Sequence, residues 1–187
     1  MARPRTNLRL FVAAYPPLER SQRWLADLAE LDLPPHRPTP LLQVHLTLLF
    51  IGDVPVRQLD RTIESIERSC GGIKPITLTP QRLVALPDEK PEQPARLVAV
   101  QTDSPPMLLE LQRRLAARLA RKTRSRAGRA YRPHLTLCRF DSPAPLASEL
   151  PAADGDPFEL HTLELMRSTL SPRGAEHHLV QSFDLRD

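Results

Sequence analysis

Aromatic residues are scarce in this chain of 187 residues: they make up 4% of it, whereas hydrophobic residues as a whole make up 41%. The predicted core is therefore mostly leucine, valine, isoleucine and alanine. No apolar run approaches the roughly 18 residues of a membrane span, so no membrane helix is predicted. The two cysteines, Cys70 and Cys138, lack the spacing of a metal site. We expect both to be reduced in a cytoplasmic protein, although a disulfide between them stays open.

Four of the six histidines give no indication of a metal site. His36 and His161 stand alone, and His177 and His178 are adjacent, so that on a strand they face opposite sides. We therefore predict no metal ion and no other cofactor. The formal charge of +4 favours anionic partners. The length suits one hydrophobic core, so we predict a single domain over residues 1–187. We also expect a monomer.

The tetrapeptide His-Leu-Thr-Leu occurs twice, at residues 45–48 and at residues 134–137, with an offset of 89. Each copy lies in an apolar stretch that favours a strand, where alternate side chains share a face. In each copy the histidine and the threonine should therefore point one way and the two leucines the other. The repetition predicts that four side chains converge on one cleft: His45, Thr47, His134 and Thr136.

The same offset relates Pro16–Pro17 to Pro105–Pro106. Each proline pair follows an apolar run and precedes leucines at helical spacing, and proline suits a helix start. The predicted units cover approximately residues 8–51 and 97–140. They indicate an α+β fold of two pseudo-symmetric lobes from an internal duplication, with antiparallel sheets lining a central cleft and helices outside. Chance recurrence of proline pairs, in a chain with 21 prolines, is the alternative.

Two imidazoles facing each other suit one kind of chemistry. Histidine titrates near pH 6.5, so that one ring can be neutral and accept a proton from water while the other is protonated and donates to a leaving oxygen. In-line hydrolysis of a phosphodiester needs a base and an acid on opposite sides of phosphorus. The threonine hydroxyls would then bind the non-bridging phosphate oxygens.

Paired His-x-Thr-x motifs in a duplicated α+β chain resemble the two-histidine phosphodiesterase superfamily, and within it the RNA 2′,3′-cyclic phosphodiesterases, or 2′-5′ RNA ligase-like proteins. The segments that carry the resemblance span nearly the whole chain, and one position departs: His178 stands where relatives often have tyrosine. The segments are residues 9–17, 45–54, 132–139 and 168–175.

The resemblance implies hydrolysis of an RNA terminal 2′,3′-cyclic phosphate to a 2′-phosphate, and in some members 2′-5′ ligation. His45 matches the proton donor and His134 the proton acceptor; the motif itself, being nearly symmetric, leaves these labels open. The phosphate binders that it implies are Thr47, Thr136 and Arg139. Phe50 would stack on a base. From the residues alone, Phe50 could equally be core and Arg139 solvated, since strand alternation puts each opposite its histidine unless a bulge intervenes.

A basic stretch at residues 121–132 precedes the second motif and contains Tyr131 and Arg132. We predict that it follows an RNA backbone, with Tyr131 stacking on a base and Arg132 binding substrate; a solvated loop is the alternative. The expected partners are RNA ends with a 2′,3′-cyclic phosphate, including tRNA halves. Two other functions stay open: a phosphodiesterase for small cyclic phosphates such as ADP-ribose cyclic phosphate or a cyclic nucleotide, and a non-catalytic RNA- or nucleotide-binding module.

Overall fold

The computed structural model describes residues 7–88, 93–119, 131–146, 150–153, 155–171 and 174–186. This part contains three α-helices and ten strands. The helices are α1 (Leu18–Ala29), α2 (Leu59–Cys70) and α3 (Pro106–Leu119). The strands are β1 (Asn7–Ala14), β2 (His36–Pro38), β3 (Leu46–Pro55), β4 (Ile76–Leu78), β5 (Pro80–Leu86), β6 (Ala95–Thr102), β7 (His134–Ala144), β8 (Phe158–Leu160), β9 (Thr162–Ser171) and β10 (Gly174–Asp184).

Eight of these strands form one antiparallel sheet, in the order β10-β9-β1-β3-β7-β6-β5, with the short β2 also paired to β7. The N-terminal and C-terminal halves meet in its middle, where β3 pairs with β7 at Leu46 and Leu135. β4 and β8 form a separate two-stranded sheet. The α+β class, the antiparallel sheet and the helices beside it are confirmed, while the duplication stays a prediction. Both motif strands extend four residues beyond the predicted units, to Pro55 and Ala144.

One face of the large sheet carries the hydrophobic core. Leucines from both halves of the sheet pack there with buried side chains of all three helices, including Trp24, Ile66 and Leu111. The predicted stripe on α3 is confirmed, because Leu108, Leu111 and Leu115 are fully buried. The leucines at helical spacing after Pro16–Pro17 begin with Leu18, but this first residue of α1 is 50% exposed, whereas Trp24 is buried.

The opposite face carries a small cluster of Phe11, Ala13 and Met166, with Tyr15 packed against it. We call this side of the sheet the open face. Cys70 and Cys138 are buried and unbonded, as expected. Within the described residues, no helix is long and apolar enough to cross a membrane. Most of the basic stretch, residues 121–130, lies outside the described residues, and so do residues 172 and 173 of the turn between β9 and β10.

Candidate active site

The two His-Leu-Thr-Leu motifs meet at the pairing of Leu46 with Leu135. Both leucines are buried in the core, at 1% and 0% exposure, so the residues on either side of them point to the open face. In antiparallel pairing, one step either way brings the first histidine beside the second threonine and the first threonine beside the second histidine. The predicted convergence is thereby observed for four half-buried side chains: His45, Thr47, His134 and Thr136.

The backbone orients both imidazoles in the same way. His45 Nδ1 lies 2.7 Å from the carbonyl oxygen of Gln43, and His134 Nδ1 lies 2.9 Å from that of Arg132. A carbonyl oxygen can only accept, so each Nδ1 carries the proton and donates it. Each neutral ring therefore keeps its lone pair on Nε2, the atom left for proton transfer.

Burial keeps both rings neutral in the protein without ligand. It is the main cause that lowers the pKa of His45 to about 4, against the raising effect of the Gln43 hydrogen bond. Repulsion by His177, Arg139 and His134 lowers that pKa further, the two histidines acting only when they are protonated. Burial is also the main cause of the lowered pKa of His134, with Arg132 and Arg139 adding to it. Arg139 thus acts on both imidazoles, and a bound anion near it would raise both pKa values.

The threonine hydroxyls are available for a ligand. Within the described part of the chain, neither Thr47 nor Thr136 uses its side-chain oxygen in an intramolecular hydrogen bond. Each hydroxyl can donate one hydrogen bond to an anionic oxygen between the two histidines.

Two bulges bring Phe50 and Arg139 to the open face, where simple alternation does not place them. Between β1 and β3, Val12 pairs with Leu49 and Ala13 with Thr47, which leaves Leu48 as an extra residue. Between β6 and β7, Val98 pairs with Cys138 and Ala99 with Thr136, which leaves Leu137 extra. The extra residues hold equivalent places in the two motifs. Each reverses the alternation, so that the residue two positions later joins the histidine side.

Phe50 is exposed on the open face and pairs with Phe11 of β1. Its side chain is 48% exposed, and the guanidinium of Arg9 lies 4.8 Å from its ring centroid. Phe11, on the neighbouring strand, has its ring centroid 5.2 Å from that of His45, and Tyr15 lies at 5.6 Å. Phe50 is therefore not a core residue, and an aromatic wall borders one side of His45.

Tyr131 and Arg132 lie next to the site but are already engaged. The Tyr131 hydroxyl donates a 2.9 Å hydrogen bond to the carbonyl of Thr47, and the ring packs against the core. The Arg132 guanidinium donates to Gln101 at 2.7 Å and to Asp88 at 2.6 Å. These contacts join the segment before β7 to Thr47, Gln101 and Asp88, whereas the predicted stacking by Tyr131 and substrate binding by Arg132 stay predictions.

His177 is a site residue that the sequence pattern did not single out. Its ring centroid lies 5.3 Å from that of His45 and 4.8 Å from that of Phe11. Within the described residues, its buried Nδ1 has no hydrogen-bond partner. The alternation on β10 could have signalled it, because one of two adjacent histidines must face each side. His178, the departure noted in the sequence, is the exposed one.

The other histidines have ordinary contacts. His36 donates from Nδ1 to the carbonyl of Pro34 at 2.8 Å, and His161 lies 3.4 Å from Glu159 at the surface.

A family comparison agrees with this geometry. The model of the 2′-5′ RNA ligase superfamily matches residues 16–170. The chain belongs to this superfamily. Two curated relatives are both named RNA 2′,3′-cyclic phosphodiesterase. The protein from Methanothermobacter thermautotrophicus is 28% identical over 148 residues, covering 76% of this chain and 78% of its own. That from Thermus thermophilus is 28% identical over 192 residues, covering 96% and 91%.

Solved structures share the superfamily fold. TT0787 of Thermus thermophilus superposes with a TM-score of 0.80 at 24% identity, covering 96% of this chain and 98% of its own. Escherichia coli LigT, solved as a complex with 3′-AMP, has a TM-score of 0.78 at 22% identity, covering 97% and 99%. At these identities the superpositions establish the fold of this superfamily member.

Proposed function

We propose that this protein hydrolyses the 2′,3′-cyclic phosphate at the end of an RNA chain, by acid–base catalysis without a metal ion, to give a 2′-phosphomonoester. Membership of the 2′-5′ RNA ligase superfamily supports the class of phosphodiester enzymes. The names of the two curated relatives support the substrate. The observation that carries the mechanism is the common orientation of His45 and His134 on the open face, with Arg139 acting on both.

In this mechanism His134 Nε2 accepts a proton from a water molecule, whose oxygen attacks phosphorus. The bond between phosphorus and O3′ breaks, and His45 Nε2 donates its proton to O3′. The products are a 2′-phosphate and a 3′-hydroxyl. The assignment of donor and acceptor follows the family resemblance. Burial, with the charges of Arg132 and Arg139 adding to it, lowers the pKa of His134 and favours its neutral, accepting form.

His45, the proposed donor, becomes protonated only when the substrate is bound. The pKa of His45, about 4, leaves this ring neutral in the free protein near pH 7. A phosphate anion beside it raises that pKa, because an opposite charge favours the protonated form. Thr47 and Thr136 would donate hydrogen bonds to the non-bridging oxygens, where negative charge increases in the transition state.

Three further roles complete the proposal. Arg139 binds phosphate, since an arginine can form two parallel hydrogen bonds to it. Phe50 stacks on a base with the ring face that Arg9 leaves open. If an RNA hydroxyl attacks phosphorus in place of water, the same two proton transfers form a 2′-5′ linkage, and in reverse they cut one. A monomeric, cytoplasmic protein without cofactors remains our prediction.

A small cyclic phosphate is the second candidate substrate. Phe50, which is 48% exposed, would also stack on the base of a single nucleotide. A mononucleotide does not need the basic stretch 121–132. Neutral substitutions of Arg121, Arg124, Arg126 and Arg129, with Arg132 kept, should therefore leave the turnover of a small substrate unchanged and weaken only that of RNA.

The deciding experiment is product analysis of a short RNA that ends in a 2′,3′-cyclic phosphate, incubated in EDTA with the parent and with His45→Ala and His134→Ala. We expect a 2′-phosphate end from the parent and a loss of roughly 10²–10⁴-fold in each variant. Loss of the parent activity in EDTA, restored by Mg²⁺ or Zn²⁺, would contradict the metal-free mechanism. RNA binding that survives both substitutions, without turnover by the parent, would indicate a binding module.

A further inference from the structure

A second arginine lies directly opposite Arg139 on the open face. Arg37, in the short strand β2, is the Cα partner of Arg139 in β7. Directly opposite residues of an antiparallel pair point to the same side of the sheet. Their neighbours Phe140 and Cys138 point the other way, into the core. The side chain of Arg37 is 69% exposed.

The chain holds β2 firmly in this place. The amide of Thr39 donates to Leu137 O at 2.7 Å, and the amide of Asp141 donates to Pro35 O at 3.0 Å. β2 lies between Pro35 and Pro40 and itself ends in Pro38, so backbone freedom is small on both sides of Arg37. The pairing of Arg37 with Arg139 is therefore a property of the fold rather than of a loose loop.

Two guanidinium groups opposite each other are unfavourable without an anion, because like charges in such a pair repel. The only carboxylate paired with Arg37 in the described part of the chain is Asp141, 3.3 Å from Nε and itself 54% exposed. Within the same residues, Arg139 has no ion-pair partner. The pair thus has more positive charge than its surroundings neutralise.

We propose that Arg37 and Arg139 together bind a second phosphate of the substrate, the one on the 5′ side of the terminal nucleotide. This inference rests on the proposed function, which places the cyclic phosphate between the two histidines. Arg139 acts on both imidazoles, and Arg37 lies opposite it on the same edge of β7 that pairs with β3. The next phosphate along an RNA chain would meet this pair, while a cyclic nucleotide with a free 5′-hydroxyl has nothing to place there. The arrangement therefore selects for the end of a chain or for a 5′-phosphorylated nucleotide.

The test compares three substrates: adenosine 2′,3′-cyclic phosphate, its 5′-phosphorylated form, and a diadenosine dinucleotide ending in the cyclic phosphate. We expect the parent to have a higher kcat/KM for both substrates with a second phosphate. In Arg37→Gln, the ratio of each to the unphosphorylated substrate should fall about tenfold, the loss of one charge-assisted contact. For the dinucleotide, the plot of log kcat/KM against log salt should become shallower by roughly 0.7. A fall for the dinucleotide alone would assign the site to RNA chains and exclude free 5′-phosphates.

Arg68→Gln is the matched control. Arg68 is an exposed arginine on α2 that pairs with Glu64, so this substitution removes the same charge from a helix on the core side of the sheet. Ratios that stay unchanged in Arg37→Gln, or that fall equally in Arg68→Gln, would overturn the proposal.

If the parent opened none of the three substrates, the proposed function would be wrong, and binding alone would test the pair. Adenosine 3′,5′-bisphosphate should then bind the parent more tightly than adenosine 3′-monophosphate. The ratio of their two dissociation constants should fall about tenfold in Arg37→Gln. An unchanged difference would exclude the second phosphate site independently of catalysis.

Discussion

The imidazole of His177 lies edge-on to that of His45, with ring centroids 5.3 Å apart and an angle of 78° between the planes. The two residues come from opposite ends of the sequence and meet because β9 and β10 pack beside β1. His177 also stacks edge-on against Phe11, so the two histidines and Phe11 form one aromatic group. A protonated His177 opposes protonation of His45, which links the far end of the sheet to the proposed acid.

Replacing His177 by glutamine should raise the pKa of His45 above its value of about 4. Glutamine keeps a polar side chain but does not titrate, so it removes the positive charge and leaves most of the surroundings intact. NMR titration of the His45 ring measures the change. His178→Gln is the control, because His178 is exposed on the other side of β10. If the pKa of His45 shifted equally in both variants, the contact between His177 and His45 would not be the cause of the shift.

The pH dependence of kcat/KM should be a bell centred below pH 6.5. This parameter reports the free protein, in which the pKa of His45 is about 4 and that of His134 is also lowered. Above both values neither ring carries the proton that the reaction needs, and below both neither can accept one. The bell for kcat should lie at higher pH, because the bound phosphate raises both pKa values. If the pH profiles of kcat/KM and kcat were superimposable, or if kcat/KM had its optimum above pH 7 with chemistry rate-limiting, His45 and His134 would not be the acid and the base.

Stability should fall on acidification from about pH 6.5 to pH 4, partly because of His45. The pKa of this ring is near 6.5 in the unfolded chain and about 4 in the folded protein. In that window the unfolded state binds a proton that the folded state excludes, so the free energy of unfolding decreases as pH falls. The contribution is up to about 3 kcal/mol. Urea unfolding at pH 7 and pH 4.5 should show a smaller decrease for His45→Gln than for the parent; equal decreases would refute the role of His45.

Removing the Tyr131 hydroxyl should destabilise the protein by roughly 1–2 kcal/mol, because the carbonyl of Thr47 loses its partner. The bond joins the segment before β7 to β3, so Tyr131→Phe should also reduce turnover by loosening the relation between the motifs. Tyr15→Phe provides a comparison, since Tyr15 is a half-buried tyrosine on the open face whose hydroxyl makes no intramolecular hydrogen bond in the described residues. Similar losses of unfolding free energy in the two variants would argue against the importance of the Tyr131 bond.

Local pattern was sufficient to predict the faces of the two motifs. A strand alternates by geometry, and the two leucines of each motif can satisfy a core while His45 and Thr47 cannot. Simple alternation gives the wrong face for Phe50 and Arg139, three residues after each motif threonine. The reason is the bulges at Leu48 and Leu137, which arise from pairing with β1 and β6. The sequence of one strand does not determine its register with the neighbouring strands. The family resemblance supplied what the alternation could not.

His177 and Arg37 were beyond local pattern for a related reason. His177 reaches His45 only through the pairing of β10 with β9 and of β9 with β1. Arg37 reaches Arg139 through a strand of three residues in a stretch where the prolines favour a loop. Both contacts depend on chain segments that are distant in sequence or too short for their periodicity to be recognised.

The carbonyl groups that hold the two imidazoles have a consequence for how this site tolerates change. In many catalytic sites a carboxylate side chain orients the histidine, and a single substitution removes it. Here the acceptors are the main-chain oxygens of Gln43 and Arg132, and every amino acid has that atom. A substitution at residue 43 or 132 therefore changes a side chain but keeps the main-chain acceptor that fixes the tautomer of His45 or His134.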